Sequence, residues 1–236
     1  MSGDSIIFSS QILFERTNDH IHLEFTTPFN TLSSAVLNGG FQEAKHIVNL
    51  KVPKESCKNE KPDDTLNNYC KQQNWQGISV GMMTAASMKS MRVRQVNVEN
   101  VDIMTLVTTG LSNPRRAGDY AECQSLLSTC LKHDTINIIL ISTASFTHAA
   151  MVEAIMIATE AKVAAIQNLN IKSPVSNEAA TGTGTDSIII ASQKKAKTGI
   201  EFCGKHTLMG ELIGQLVMDA ITDSIRWDLE NNDYIN

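Results

Sequence analysis

The chain has 236 residues, of which 42% are hydrophobic and 19% charged, the balance of a globular protein long enough to bury a core without staples. Its formal net charge of −5 argues against a dedicated nucleic-acid binder, which needs a basic surface to neutralise phosphates. No apolar run approaches the ~20 residues of a membrane helix, the N-terminal stretch lacks the basic region and cleavage site of a secretory signal, and five scattered cysteines without C-x-x-C spacing read as free thiols of a cytoplasmic protein.

In chain order, the first predicted element is a hairpin over about residues 5–26. Ile6 to Phe14 is strand-like, Thr17-Asn18-Asp19 is turn chemistry, and Ile21, Leu23 and Phe25 alternate on one face of the return strand. His20 and His22 share the other face and read as an exposed edge. Thr31 to Leu37 is a short β-prone run that stops at Asn38-Gly39-Gly40, where adjacent glycines permit backbone angles closed to other residues. A polar excursion follows over about residues 54–76, with a short helix around Leu66 to Gln73. Val80 to Ser90 is compatible with a helix. Met91 to Val98 and Val101 to Thr109 read as two strands about a turn at Glu99-Asn100, and Thr135 to Thr143 as a third. Phe146 to Leu169 carries the longest helical periodicity, Asp186 to Ser192 is a strand of the buried type, and a last helix spans about His206 to Trp227 before a frayed tail at about 228–236. Hairpins outnumber β-α-β units. The prediction is therefore a single α+β domain with a mixed, largely antiparallel sheet and packed helices, a layered α/β arrangement being the alternative.

Small and polar residues gather where these elements end. Candidate clusters are Ser33 to Gly40, Gly81 to Ala85 with Met83 and Thr84, Thr108 to Asn113, Asp134 to Asn137, Thr159 to Lys162, Thr181 to Asp186, and Gly204 to Thr207. Each also reads as a turn or cap. The sharpest is Thr181-Gly182-Thr183-Gly184-Thr185-Asp186, because alternating Thr and Gly ahead of a strand can turn several backbone N–H groups toward one anion or oxyanion. It is not a dinucleotide fingerprint, since Ser187 stands where the third glycine belongs. Gly199 to His206 has the spacing of a phosphate loop, but His206 replaces the Ser or Thr that ligates magnesium. His206 itself falls near a helix N-terminus, where the dipole disfavours the imidazolium and a neutral ring can serve as a base. Glu160 and Lys162, two apart in an apolar helix, do not face each other, so at least one can point into a cleft, while the plain reading puts both on a solvated stripe. No H-e-x-x-H or C-x-x-C spacing supports zinc.

Taken together, LSSAVLNGG (Leu32 to Gly40), VNLKVPK (Val48 to Lys54), VGMMTAA (Val80 to Ala86), TTGLSNPRRAG (Thr108 to Gly118), TINII (Thr135 to Ile139), ATEAK (Ala158 to Lys162), ATGTGTDSIII (Ala180 to Ile190) and GKHTLMGELIG (Gly204 to Gly214) resemble the adenosylcobinamide amidohydrolases of corrinoid salvage, in family order across most of the chain. The resemblance implies hydrolysis of the amide between a corrin-ring propionate and aminopropanol, giving adenosylcobyric acid and 1-aminopropan-2-ol. The corrinoid is then substrate, no cofactor is required, and whether a metal assists is left open. The other partners expected are none from nucleic acid or membrane, with self-association open. For that reaction His206 or Asp186 is the candidate base, Lys205 and the Thr181–Thr185 backbone the oxyanion side, and Asn38 and Asn113 amide-orienting groups. Direct attack by water is preferred, and Thr183 or Thr185 is the alternative nucleophile. Glu160 completes the catalytic candidates. Gly39, Gly40, Met83, Thr84, Asn137, Lys162, Thr181, Gly182 and Gly184 complete the binding set. Two rival readings are a non-catalytic corrinoid carrier and a phosphate-loop nucleotide hydrolase.

Overall fold

The computed structural model describes residues 4–53, 61–123, 125–126 and 135–232. Its principal elements are β1 (Asp4–Ser9), β2 (Ile12–Arg16), β3 (His20–Ser33), β4 (Gly40–Lys51), α1 (Pro62–Gln72), β5 (Ser79–Thr84), β6 (Arg92–Val98), β7 (Val101–Thr109), β8 (Ile136–Ser142), α2 (His148–Asn168), β9 (Ser187–Gln193) and α3 (Leu208–Asn231). Local chemistry sets many of the boundaries. Glu99 and Asn100 both adopt positive φ, 53° and 63°, the geometry that joins β6 to β7 with the twist of a two-residue hairpin. Thr147 and Thr207 cap α2 and α3, their hydroxyls accepting from Ala150 N at 3.1 Å and Gly210 N at 3.0 Å.

Among the described residues nine strands form one mixed sheet, and six of its eight pairings are antiparallel, with β4–β5 and β8–β9 parallel. This is the predicted α+β class. The long strand β3 pairs with β4 along its length, with a break in register between Glu24 and Phe29. On its other edge its first half pairs with β2 and its second half with β9, so β3 passes from one half of the sheet to the other.

Side-chain alternation along the strands sorts the core into layers. Ile138, Leu140, Ile188 and Ile190 face α2 and α3, meeting Ala154, Ala158, Ile213, Val217 and Ile221. Ile139, Ile141, Ile189 and Leu106 face the opposite way and meet Phe25, Phe29, Ile47, Val80 and Met82. Val48 and Leu50 turn outward onto Leu66 and Cys70 of α1. The order is helices, sheet half, sheet half, helix. Strands β8 and β9 are buried on both faces, and each fully buried Ile contributes roughly 1.5–3 kcal/mol.

Four readings of the sequence are corrected. Ile6 to Phe14 is two strands, β1 and β2. Val80 to Ser90 is β5 followed by a short 3-10 turn, Met88–Ser90, because parallel pairing with β4 overrides a run with no β-branched majority. β4 had no sequence counterpart, and Thr31 to Leu37 is the end of β3 running into a turn. Cys123 is disulfide-bonded, whereas Cys70 and Cys203 are buried free thiols; Cys57 and Cys130 lie outside the described residues.

The histidines of β3 are also not exposed. His20 and His22 are 5% and 6% accessible and His46 is 2%, because Trp75, from the loop after α1, stacks on His22 with ring centroids 3.7 Å apart. His46 donates from Nε2 to the Gln76 carbonyl at 2.9 Å, which leaves its Nδ1 to accept from His22 Nε2 at 3.0 Å. Burial, then the neighbouring His46 and His20, push the His22 pKa down to about 3.

Two stability outcomes follow. A Cβ at Gly39 would overlap the Ala35 carbonyl oxygen, whereas one at Gly204 meets nothing. Gly39→Ala is expected to cost about 1–3 kcal/mol and lower Tm by roughly 3–10 °C, and Gly204→Ala to stay within ~0.5 kcal/mol, by thermal melts. For His22, the unfolded chain binds the proton first as pH falls. Its contribution is complete above about pH 6.5 and is lost progressively toward about pH 3. Urea titrations should show stability falling by on the order of 2–3 kcal/mol from this source by about pH 4.5, with a shallower dependence in His22→Gln.

Candidate functional site

The loops at one end of the sheet converge. Ser34, just past β3, donates its N–H to the Ile188 carbonyl at 3.1 Å and accepts from Ile188 N on its hydroxyl at 3.2 Å. Gly110, after β7, donates to the Thr135 carbonyl at 3.1 Å. A two-residue antiparallel bridge sets Gly182 and Thr183 opposite Arg115 and Pro114. Thr181 anchors that bridge, donating its N–H to the Arg115 carbonyl at 2.8 Å and accepting from Ala117 N at 2.9 Å.

Asp186 is the hub of this end. Its Oδ1 accepts from the Thr183 hydroxyl at 2.6 Å, from Thr183 N at 3.1 Å and from Ile136 N at 3.1 Å. Its Oδ2 pairs with the Lys162 ammonium, which reaches in from α2. Both side chains are nearly enclosed, 9% exposed for Lys162 and 12% for Asp186. A charge this far from water is tolerated only with its counter-charge and hydrogen bonds in place. Gly182 is required by the same packing, because a Cβ there would overlap Asp186 Oδ2 and stand 2.9 Å from Lys162 Nζ.

Inward from Asp186, at the end of the core between the two sheet halves, lies a polar network. Asn137 donates to Asn49 Oδ1 at 2.8 Å and to the Met83 carbonyl at 3.0 Å, and Asn49 donates to the Thr108 hydroxyl at 2.9 Å. Among the described residues the buried Asn137 Oδ1 and Asn113 Oδ1 find no hydrogen-bond partner, and neither does Thr105 Oγ1 within β7, an uncommon state for buried acceptors. Asn49 and Thr108 were not among the site residues read from sequence. The available signal was their polarity inside otherwise apolar strands.

Outward from Asp186 opens a cleft of about 380 Å³, bordered by Asn113, Arg115, Arg116, Tyr120, Thr183, Gly184 and Thr185. Gly184 lies against the Asn113 amide, with room for a Cβ only 3.2 Å from Nδ2. Thus Asp186, Thr183, Lys162, Gly182, Gly184, Thr185, Asn113 and Asn137 come together, with Met83 present through its carbonyl and Thr181 as an anchor.

Other sequence candidates lie elsewhere or act locally. Asn38 sits at φ 52° and donates to the Ser79 carbonyl at 2.8 Å; with Gly39 and Gly40 it forms the β3–β4 turn. Thr84 is buried and its hydroxyl accepts from Ala86 N. Lys205 pairs with Glu160 at the surface, the side chains 66% and 50% exposed. His206 is exposed and hydrogen-bonds to none of the described residues. The phosphate-loop spacing there is coincidental in form: β9 ends at Gln193, Gly199–Ile200 bridges to Ser145–Phe146, and Glu160 holds the Lys205 ammonium. Among the described residues no group of three or more His, Cys, Asp or Glu is disposed to hold a metal, and no helix is long and apolar enough to cross a membrane.

A hydroxyl held by a carboxylate, the carboxylate held by an ammonium, and an open cleft beside them can support acyl-bond hydrolysis; by its family the protein is a hydrolase acting on carbon–nitrogen amide bonds. Residues 5–233 match the sequence profile of the adenosylcobinamide amidohydrolase family, and the chain belongs to that family. An adenosylcobinamide amidohydrolase of Methanosarcina mazei is 29% identical over 196 residues, covering 80% of this chain and 86% of that protein. An uncharacterized protein of Methanocaldococcus jannaschii is 30% identical over 225 residues, covering 86% of this chain and 84% of its own length. A Burkholderia β-aminopeptidase of known structure superposes with a TM-score of 0.45 at 10% identity, over 91% of this chain and 79% of that one.

The two ion pairs separate buried from exposed electrostatics. Lys162→Met strands the Asp186 carboxylate and should cost about 3 kcal/mol, read as a drop in urea midpoint. Lys205→Ala breaks a solvated pair and should move the midpoint by less than ~0.5 kcal/mol equivalent.

Proposed function

We propose that the protein hydrolyses the amide joining a corrin-ring propionate to aminopropanol in adenosylcobinamide, releasing adenosylcobyric acid and 1-aminopropan-2-ol, as a cytoplasmic step in the salvage of incomplete corrinoids. The observation that carries this reading is the enclosed Thr183–Asp186–Lys162 set at the edge of an open cleft, in a chain of this family.

The dimensions suit an arm rather than a ring. A cleft of about 380 Å³ is at the small end of ligand sites, and a corrin macrocycle exceeds it. The propionamide arm enters while the ring stays outside, where Arg115, Arg116 and Tyr120 border the opening. Inside, the donor we assign to the carbonyl oxygen of the scissile amide is Asn113 Nδ2, which lies beside Gly184 at the cleft border. An amide carbonyl that becomes tetrahedral gathers charge on oxygen, and a donor already aimed at it lowers the barrier without reorganisation. Asp186 is the group that handles the proton.

The test is incubation of the purified protein with adenosylcobinamide and mass spectrometry for the acid and the free amine. Both are expected in equal amounts. Asp186→Asn keeps the shape of the side chain and should lower kcat by ~10²-fold or more, a larger loss than in His206→Ala. Corrinoid bound but returned intact would overturn the reading in favour of a carrier, and an equal or larger loss in His206→Ala would move the proton-handling group to the loop before α3.

A further inference from the structure

We propose that the Thr183 hydroxyl is the nucleophile of this hydrolase, and that the reaction passes through an ester on its Oγ1. The inference rests on the amide-hydrolysis reading above and adds a covalent step to it.

The argument begins with Asp186. A carboxylate oxygen has two lone pairs, and Oδ1 already takes three donors: the Thr183 hydroxyl and the N–H groups of Thr183 and Ile136. Oδ2 takes the Lys162 ammonium and a longer branch of the same Thr183 N–H at 3.2 Å. Among the described residues four donors thus meet the four lone-pair sites of this carboxylate, and of the residues that supply them only Thr183 borders the cleft. The path from the carboxylate to a substrate therefore runs through Thr183.

That group is a hydroxyl with the geometry of an activated nucleophile. The Oγ1–Oδ1 distance of 2.6 Å is that of a charge-assisted hydroxyl–carboxylate hydrogen bond. The Oγ1 proton is directed at Asp186, and Thr183 borders the cleft. The third member is present as well: Lys162 fixes Asp186, so nucleophile, base and the group that orients the base form one chain. Thr183 is pinned in turn by its bridge to Pro114 and by the Gly182 packing described above. The cleft's cysteine is not a competitor, because Cys123 is disulfide-bonded.

Atoms balance without a co-reactant beyond water. Oγ1 bonds to the amide carbon as the hydroxyl proton passes to Asp186. The carbon–nitrogen bond breaks, and the amine leaves with that proton. Water then attacks the ester, gives a proton to Asp186, and the Thr183 hydroxyl is restored as the acid departs.

Partitioning to a second nucleophile tests this whether or not the ester accumulates. The wild-type protein is supplied with the amide substrate and, separately, with the analogue in which an ester oxygen replaces the amide nitrogen, each with the same concentration of hydroxylamine. One shared intermediate requires the same hydroxamate-to-acid ratio from both substrates. Thr183→Val, nearly the same shape, should lose at least ~10³-fold in amide turnover, while Thr183→Ser should retain turnover and again show one common ratio. Ratios that differ between the two substrates, absence of hydroxamate during turnover, or Thr183→Val within about tenfold of wild type would each overturn the nucleophile while leaving the hydrolase intact. A wild-type protein that forms no acid from the amide fails the functional reading instead.

Discussion

The ion pair between Lys162 and Asp186 is the constraint around which this end of the molecule is built. Lys162 comes from a helix whose buried face is otherwise mostly alanine, isoleucine and methionine, and its ammonium is nearly sealed from water. Such a charge is several kcal/mol unfavourable unless a counter-charge and hydrogen bonds replace its hydration. Meeting that requirement brings Asp186 to the helix, and Asp186 in turn draws in the Ile136 peptide at the start of β8 and both donors of Thr183. The ladder of Thr and Gly before β9 is thus explained by packing first. Gly182 is glycine because carboxylate and ammonium occupy the space of a side chain. On the proposed reading, the reactive geometry is a by-product of satisfying a buried charge.

The sheet supplies the second half of the arrangement. Because β3 belongs to both halves of it, the two halves face each other across a shared core. That core is apolar through the middle and polar at one end, where Asn49, Thr108 and Asn137 bond to one another. Buried amides of this kind cost stability unless paired, and here three residues from three separate strands pair in one register only. The network therefore fixes how β4, β7 and β8 stand relative to each other, a few residues from Ile136 and its bond to Asp186. It positions the strand that holds the carboxylate.

How much of this was legible depends on whether the deciding interaction is local. The Glu99-Asn100 turn, the strand at Thr135 to Thr143, the long helix of α2 and the Thr–Gly run were readable because turn chemistry, periodicity and composition specify them over a few residues. β4 was not, since its first residues, Gly40 to Glu43, lie at the surface and break the alternation. β5 looked helical because Val80 to Ala86 is a short apolar run, and such runs do not declare a period. His20 and His22 looked exposed because their cover, Trp75, arrives from some fifty residues away in sequence. The spacing of Glu160 and Lys162 showed that one of them could turn inward, but the choice was made by Asp186, which no local pattern reveals.

On the proposed reading, chemistry and recognition are divided between interior and rim. The reacting groups are enclosed and tied by bonds that leave little freedom, so they cannot adapt to the shape of a large substrate. The opening is bordered by residues with more latitude: Arg116, whose guanidinium reaches the Ala179 carbonyl at 2.9 Å, and Tyr120, 87% exposed. A ring too large for the cleft presents its other amide arms to that border, where side chains of this kind can hydrogen-bond them. Discrimination among corrinoids then rests on residues around 115–120 and not on Thr183, Asp186 or Lys162. The same enclosed centre could serve rings that differ at the periphery, because only the arm bearing the scissile amide reaches it.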